Sequence, residues 1–265
     1  MNQPAHPGNQ AFQAKRIQAQ DIVADSGSLE ARLEPFDSFW QAPEDVEKGY
    51  ARFAAYYRAN YLPRMPPARD SRILVISCGP GYLVKTLVEA GYLNVQGIDS
   101  FPEKIAHARR KGLNCEVARA FEFLAGSSGG WDCIIPEQEI NHLTTAEQVA
   151  FLTLCREKLK PGGRIVIYGL NGANPIVGAE NIAHNIDHFN LLTEYSIWQL
   201  LKLCGFNDIS VFPLKVYVFW RNPANYVGLL ATGFFELVLR VLFKLYGKNV
   251  TVLSKKLAAT ARRAD

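Results

Sequence analysis

Residues 72–83 read RILVISCGPGYL, a short apolar run that stops in a turn of small residues. An apolar run of this length, closed by glycine and proline, predicts a buried strand. Glycines directly after a strand let a ligand approach the backbone at the strand's carboxyl end, and Gly79 and Gly81 stand there. The next apolar run ends at Asp99, where a carboxylate can accept hydrogen bonds from both hydroxyls of a ribose. Loop and carboxylate together predict a nucleoside-bearing cofactor. A dinucleotide fits poorly, because the G-x-G-x-x-G pattern needs a third glycine where Val84 stands.

Outward from this turn, short apolar runs alternate with helical stretches. Strands are predicted at Ile73–Ser77, Val95–Asp99, Asn114–Val117, Cys133–Ile135 and Arg164–Tyr168, with helices at Tyr82–Ala90, Pro102–Lys111 and Thr145–Leu159. Such alternation predicts a parallel sheet with helices on both faces. A further helix, Glu194–Leu203, precedes two runs, Ile209–Phe212 and Val216–Trp220, spaced as an antiparallel hairpin. Before the first strand, Val46, Tyr50, Phe53, Ala54 and Tyr57 recur at helical spacing until Pro63, Pro66 and Pro67 end the helix. Residues 1 to 35 show no period and read as a mobile arm or short helix.

The composition, 48% hydrophobic and 20% charged, is that of an ordinary globular chain. A net charge of +4 without a long internal basic run gives no reason to expect a nucleic-acid partner. Five cysteines without C-x-x-C spacing read as reduced, buried thiols, and the polar start lacks the apolar core of a signal peptide. A cytoplasmic location is expected, and no metal, since the histidines lack H-x-x-x-H or cysteine companions.

The turn Ser77-Cys78-Gly79-Pro80-Gly81 resembles the first motif of class I S-adenosylmethionine (SAM)-dependent methyltransferases, acidic-x-Gly-x-Gly-x-Gly. GIDSFPEKIAHAR resembles their second-strand block, WDCIIPEQEINHL the fourth-strand block, and LKPGGRIVIYGLN the turn into the fifth strand. The resemblance covers roughly residues 70 to 220 and implies SAM as cofactor. It also implies a doubly wound, seven-stranded, mostly parallel α/β sheet with an antiparallel C-terminal hairpin. The expected divisions are an N-terminal arm and helical lid (1–69), a SAM-binding core (70–222), and a C-terminal apolar helix with a basic tail (223–265). The cofactor residues implied are Ser77, Gly79, Gly81, Asp99, Ser100, Phe101, Ala120, Phe121 and Glu137, with Tyr57, Tyr50 and Arg58 as lid contacts. The chain departs from the pattern at Val75, which replaces the acidic residue, at Ser77, which replaces a glycine, and at Arg119, where many relatives carry an acid.

Methyl transfer from a sulfonium rests on alignment, plus removal of a proton when the acceptor is a hydroxyl. His142 and His188, each following a strand's carboxyl end, are the candidate bases, ahead of Glu137 and Glu139 because an imidazole titrates near neutrality. The block DHFNLLTEYSIWQLLKLCGF with the tail resembles methyltransferases of bacterial polysaccharide synthesis, which implies a sugar or lipid-linked glycan hydroxyl as acceptor. A quinone or other lipid acceptor, or a scaffold that binds SAM without catalysis, are the alternatives. From Asn222 to Gly247 the chain reads as one apolar helix striped by Glu236, Arg240 and Lys244. These charges argue against a membrane span. The helix is expected to lie on a membrane surface, pack on the core or join a homodimer. Lys248, Lys255, Lys256, Arg262 and Arg263 would favour anionic headgroups at the inner face of the membrane.

Overall fold

A computed structural model describes residues 43–137, 140–183, 188–215 and 223–264. The arm, the run Val216–Trp220, Glu139 and the capping position Asn222 lie outside the described residues. Helix α1 (Pro43–Asn60) leads to β1 (Arg72–Ile76), α2 (Tyr82–Glu89), β2 (Asn94–Asp99), α3 (Pro102–Arg110), β3 (Cys115–Val117) and α4 (Ala120–Gly126). Then follow β4 (Trp131–Pro136), α5 (Thr145–Lys158), β5 (Leu159–Leu170), α6 (Gly178–Ala183), α7 (Glu194–Leu203), β6 (Phe206–Pro213), α8 (Ala224–Leu245) and β7 (Lys256–Arg263).

The seven strands form one sheet in the order β3-β2-β1-β4-β5-β7-β6. β1 to β5 run parallel, and β7 is antiparallel to both β5 and β6. Chain order reverses at β1 and β4, the place where ligands bind beyond strand carboxyl ends in open α/β sheets. Apolar residues alternate between the two faces: Leu74 and Ile76 join one core with Phe151 and Ile197, whereas Ile73 and Val75 join the other with Tyr57 and Tyr82. Strands buried on both faces read as continuous apolar runs, which is why β1 and β4 were legible.

The antiparallel pair departs from the expected hairpin. β6 pairs with Lys256–Arg263, part of the expected basic tail, so the sheet is completed from beyond residue 222. Arg263 donates to the carbonyls of Glu157 and Leu159, and Arg262 to that of Gly162. Two of the five basic residues expected to meet lipid thus tie β7 to the end of α5 and the start of β5.

Backbone approaches closely at Gly97 on β2. A Cβ there would lie 2.8 Å from both Cys78 Sγ and Cys115 Sγ and 3.0 Å from Val84 Cγ2. Gly97→Ala is expected to cost roughly 1–3 kcal/mol through overpacking, read as a lowered urea midpoint at unchanged slope.

Candidate active site

The turn after β1 needs left-handed backbone at three positions: Ser77 (φ 54°), Gly79 (φ 54°) and Gly81 (φ 84°). Serine enters this region at a cost of roughly 1–2 kcal/mol, so Ser77 adopts at some strain a backbone conformation that a glycine would take freely. At Gly79 a Cβ would meet nothing within 4 Å, so open space lies beside the loop; at Gly81 it would strike Leu113 Cδ1 at 2.7 Å. Gly79 borders that open space, and Gly81 allows α2 to start against β3.

Asp99 is buried at the end of β2, and its carboxylate bridges two segments. The amide of Gly79 donates to Oδ2 at 2.8 Å and the amide of Phe101 to Oδ1 at 2.9 Å. Each carboxylate oxygen has further lone-pair capacity for a ribose hydroxyl. Ser100 and the Phe101 ring are half-buried beside it, with Lys104 Nζ 4.7 Å from the ring centre. Ala120 opens α4 near this edge, where Ala118 donates to the Asp99 carbonyl at 3.0 Å. Phe121 does not share that edge: its ring is buried edge-on against Phe151 in the core. Arg119 is half-buried and reaches Glu122. The open space at Gly79 and the oriented Asp99 carboxylate fit a SAM nucleoside.

Helix α1 is clamped over this turn. Tyr50 donates to the Pro80 carbonyl and Tyr82 to that of Val46. Arg58 is not a lid contact, since it pairs with Glu89 on α2 at the surface. Tyr57 is fully buried, and its hydroxyl donates to Glu137 Oε1 at 2.5 Å. Glu137 follows Pro136, and its amide extends the ladder to the Ile76 carbonyl. Since Val75 pairs with Ile135, Glu137 lies on the same face as Val75, one strand over. A carboxylate is therefore present on this face, supplied by β4 instead of β1.

Burial pushes the Glu137 carboxyl up to about 7, opposed by the Tyr57 hydrogen bond and the Lys256 charge. Burial also lowers the Lys256 ammonium, whose Nζ lies 5.4 Å from the Tyr168 ring centre. The ordinary carboxyl value is 4.5, so between pH 4.5 and 7 the native chain holds more protons than the unfolded one. The stabilising contribution is complete below 4.5 and is lost as pH rises through 7, on the order of 3 kcal/mol in all. Glu137→Gln is expected to flatten that decline in urea titrations taken across the same window.

His142 and His188, far apart in sequence, have ring centres 5.0 Å apart. The tie between their segments is Asn141, a buried residue that sequence reading did not single out. Its carbonyl accepts from Phe189 N at 2.9 Å, and its side-chain oxygen accepts from Leu170 N at 3.3 Å. Gln148 fixes the same turn by donating to the Ile140 carbonyl at 2.8 Å. Asp187, which adjoins His188, lies outside the described residues. Among the described residues no three His, Cys, Asp or Glu side chains gather as a metal-ligand set.

Residues 73–163 match the family described as "Methyltransferase domain". A relative from Cereibacter sphaeroides named "Ubiquinone biosynthesis O-methyltransferase" is 30% identical over 182 residues, covering 63% of this chain and 70% of the relative. The chain belongs to the class I SAM-dependent methyltransferases. A Xylella fastidiosa relative of the same name is 27% identical over 208 residues, covering 72% of this chain and 82% of its own length. A solved SAM-dependent methyltransferase from Archaeoglobus fulgidus shares the fold at TM-score 0.56 and 18% identity, covering 82% of this chain and 93% of that one. The methyltransferase uses SAM, as the loop and Asp99 imply. Neither relative is named for a glycan.

Proposed function

We propose that this methyltransferase transfers the methyl group to an aromatic hydroxyl of a lipid-soluble quinone precursor. The observation that carries the reading is its 30% identity across 70% of a relative named for ubiquinone biosynthesis. The glycan hydroxyl expected from sequence is the weaker reading.

SAM supplies an electrophilic methyl on its sulfonium. Ser77, Gly79, Gly81, Asp99, Ser100, Phe101 and Ala120 hold the nucleoside side, with Asp99 as the ribose acceptor. Glu137, positioned by Tyr57, stands in for the acidic residue that Val75 lacks and holds the amino-acid side. His188, held beside His142, takes the hydroxyl proton. The phenolate oxygen so formed would take the methyl as its bond to sulfur breaks, leaving a neutral thioether, and the proton leaves from the imidazole to water. All five cysteines are buried and free, which supports a reducing, cytoplasmic setting.

The test is radiolabelled methyl transfer to a prenylated catechol, to a glycan extract and to a tailless catechol. Transfer to either catechol and none to glycan is expected; transfer to glycan alone overturns the reading.

A further inference from the structure

Helix α8 contains no buried residue, although it is 22 residues long and strongly apolar. Tyr226, Val227, Leu230, Phe234, Leu237 and Leu245 are all about half exposed or more. At about 100° per residue, the large exposed apolar side chains from Leu237 round to Phe235 cover roughly half the circumference. The partly covered Asn225, Thr232, Glu236 and Phe243 gather on the opposite side. Exposed Arg240 and Lys244 border the apolar face, and exposed Lys248 and Lys255 follow it. Arg240 is tied to the Thr251 carbonyl at 3.0 Å.

The topology decides where this face stands. β6 ends at Pro213 and β7 begins at Lys256, whose partner is Leu170 at the carboxyl end of β5. Both ends of the segment that carries α8 therefore sit on the carboxyl edge of the sheet, beside Asp99, Glu137 and the paired histidines. The return is pinned: Asn171 donates to the carbonyls of Val252 and Ser254, and Thr251 to Glu194. After Leu245 the chain stops in a Schellman turn, with Gly247 at φ 71° and the amide of Lys248 on the Phe243 carbonyl at 2.8 Å.

We propose that α8 lies in the plane of an anionic phospholipid bilayer and holds the active-site edge against the membrane that dissolves the acceptor. A span is excluded by the connections, because α8 leaves and re-enters the sheet on one edge and would carry Glu236 and Arg240 into hydrocarbon. A second copy of the chain would cover a narrow stripe, whereas a bilayer surface covers half a cylinder with cations at its border. The membrane contact stands on α8 alone; its link to the acceptor rests on the proposed quinone reading.

The test uses the full chain and vesicles of phosphatidylethanolamine with and without phosphatidylglycerol. Co-sedimentation is expected with the anionic vesicles, falling at least about tenfold in the Leu230→Glu/Phe234→Glu double variant. SAM binding by calorimetry stays unchanged in that variant, which reports an intact fold. Transfer to a tailless catechol in solution is retained, while transfer to a prenylated catechol in vesicles falls in step with sedimentation. Wild-type protein left in the supernatant overturns the inference, as does a dimer in sedimentation equilibrium that the double variant dissociates without any change in vesicle binding. Failure of the quinone reading is distinct: vesicles still bind, and neither catechol is methylated.

Discussion

Asp99→Ala is expected to weaken SAM binding at least about 100-fold, measured by calorimetric titration. Asp99 bridges two backbone amides and, in the proposed reading, also accepts the ribose, and alanine removes both. Its carboxylate accepts the amides of Gly79 and Phe101, which face each other across the carboxyl end of the sheet. Charge-assisted bonds of this kind are each worth roughly 1.5–3 kcal/mol, and without them the two amides lose a buried partner. The glycine turn then loses its anchor at Gly79 just where the backbone is left-handed. The ribose also loses its acceptor. Asp99→Asn separates the two jobs: its side-chain oxygen keeps one amide bond, so its loss of affinity is expected to lie between those of wild type and alanine. Wild-type affinity in Asp99→Ala would remove Asp99 from the cofactor site.

The second large effect concerns proton removal. His188→Ala is expected to lower kcat by roughly 100- to 10,000-fold on a catechol acceptor, with SAM affinity unchanged. His142→Ala is expected to have a smaller effect, because with ring centres 5.0 Å apart it acts on the acceptor through its neighbour. The double variant is expected to match His188→Ala, since residues acting as one unit are not additive. The pH profile separates a base from a structural residue: raising the pH should recover much of the His188→Ala loss by ionising the phenol in solution. Full activity in both single variants would move the base elsewhere, with Glu137 next in line.

Much of this site was visible in linear order. RILVISCGPGYL, GIDSFPEK and the PGG turn depend on local rules, buried strands and left-handed glycines, that need no knowledge of the rest of the chain. The pairing of His142 with His188 was not legible, because it depends on Asn141, an ordinary-looking residue whose hydrogen bonds cross from one loop to another. Lys256 was read as part of a lipid-seeking tail, and Tyr57 as a lid contact with cofactor; both belong to the buried surroundings of Glu137. The KLAATARR strand carries small residues and charges, a weak period-2 signal beside which the basic count dominated.

By itself the sequence determined the doubly wound sheet, the glycine turn and the carboxylate that closes the second strand, because hydrophobic period and left-handed backbone are written locally. Only the tertiary structure decided which strand closes the sheet, which carboxylate lies on the face of Val75, and which edge the apolar helix occupies. Those depend on strand pairing between residues far apart in the chain. A pairing partner is chosen by the burial and hydrogen bonds of the whole sheet, not by neighbours in sequence.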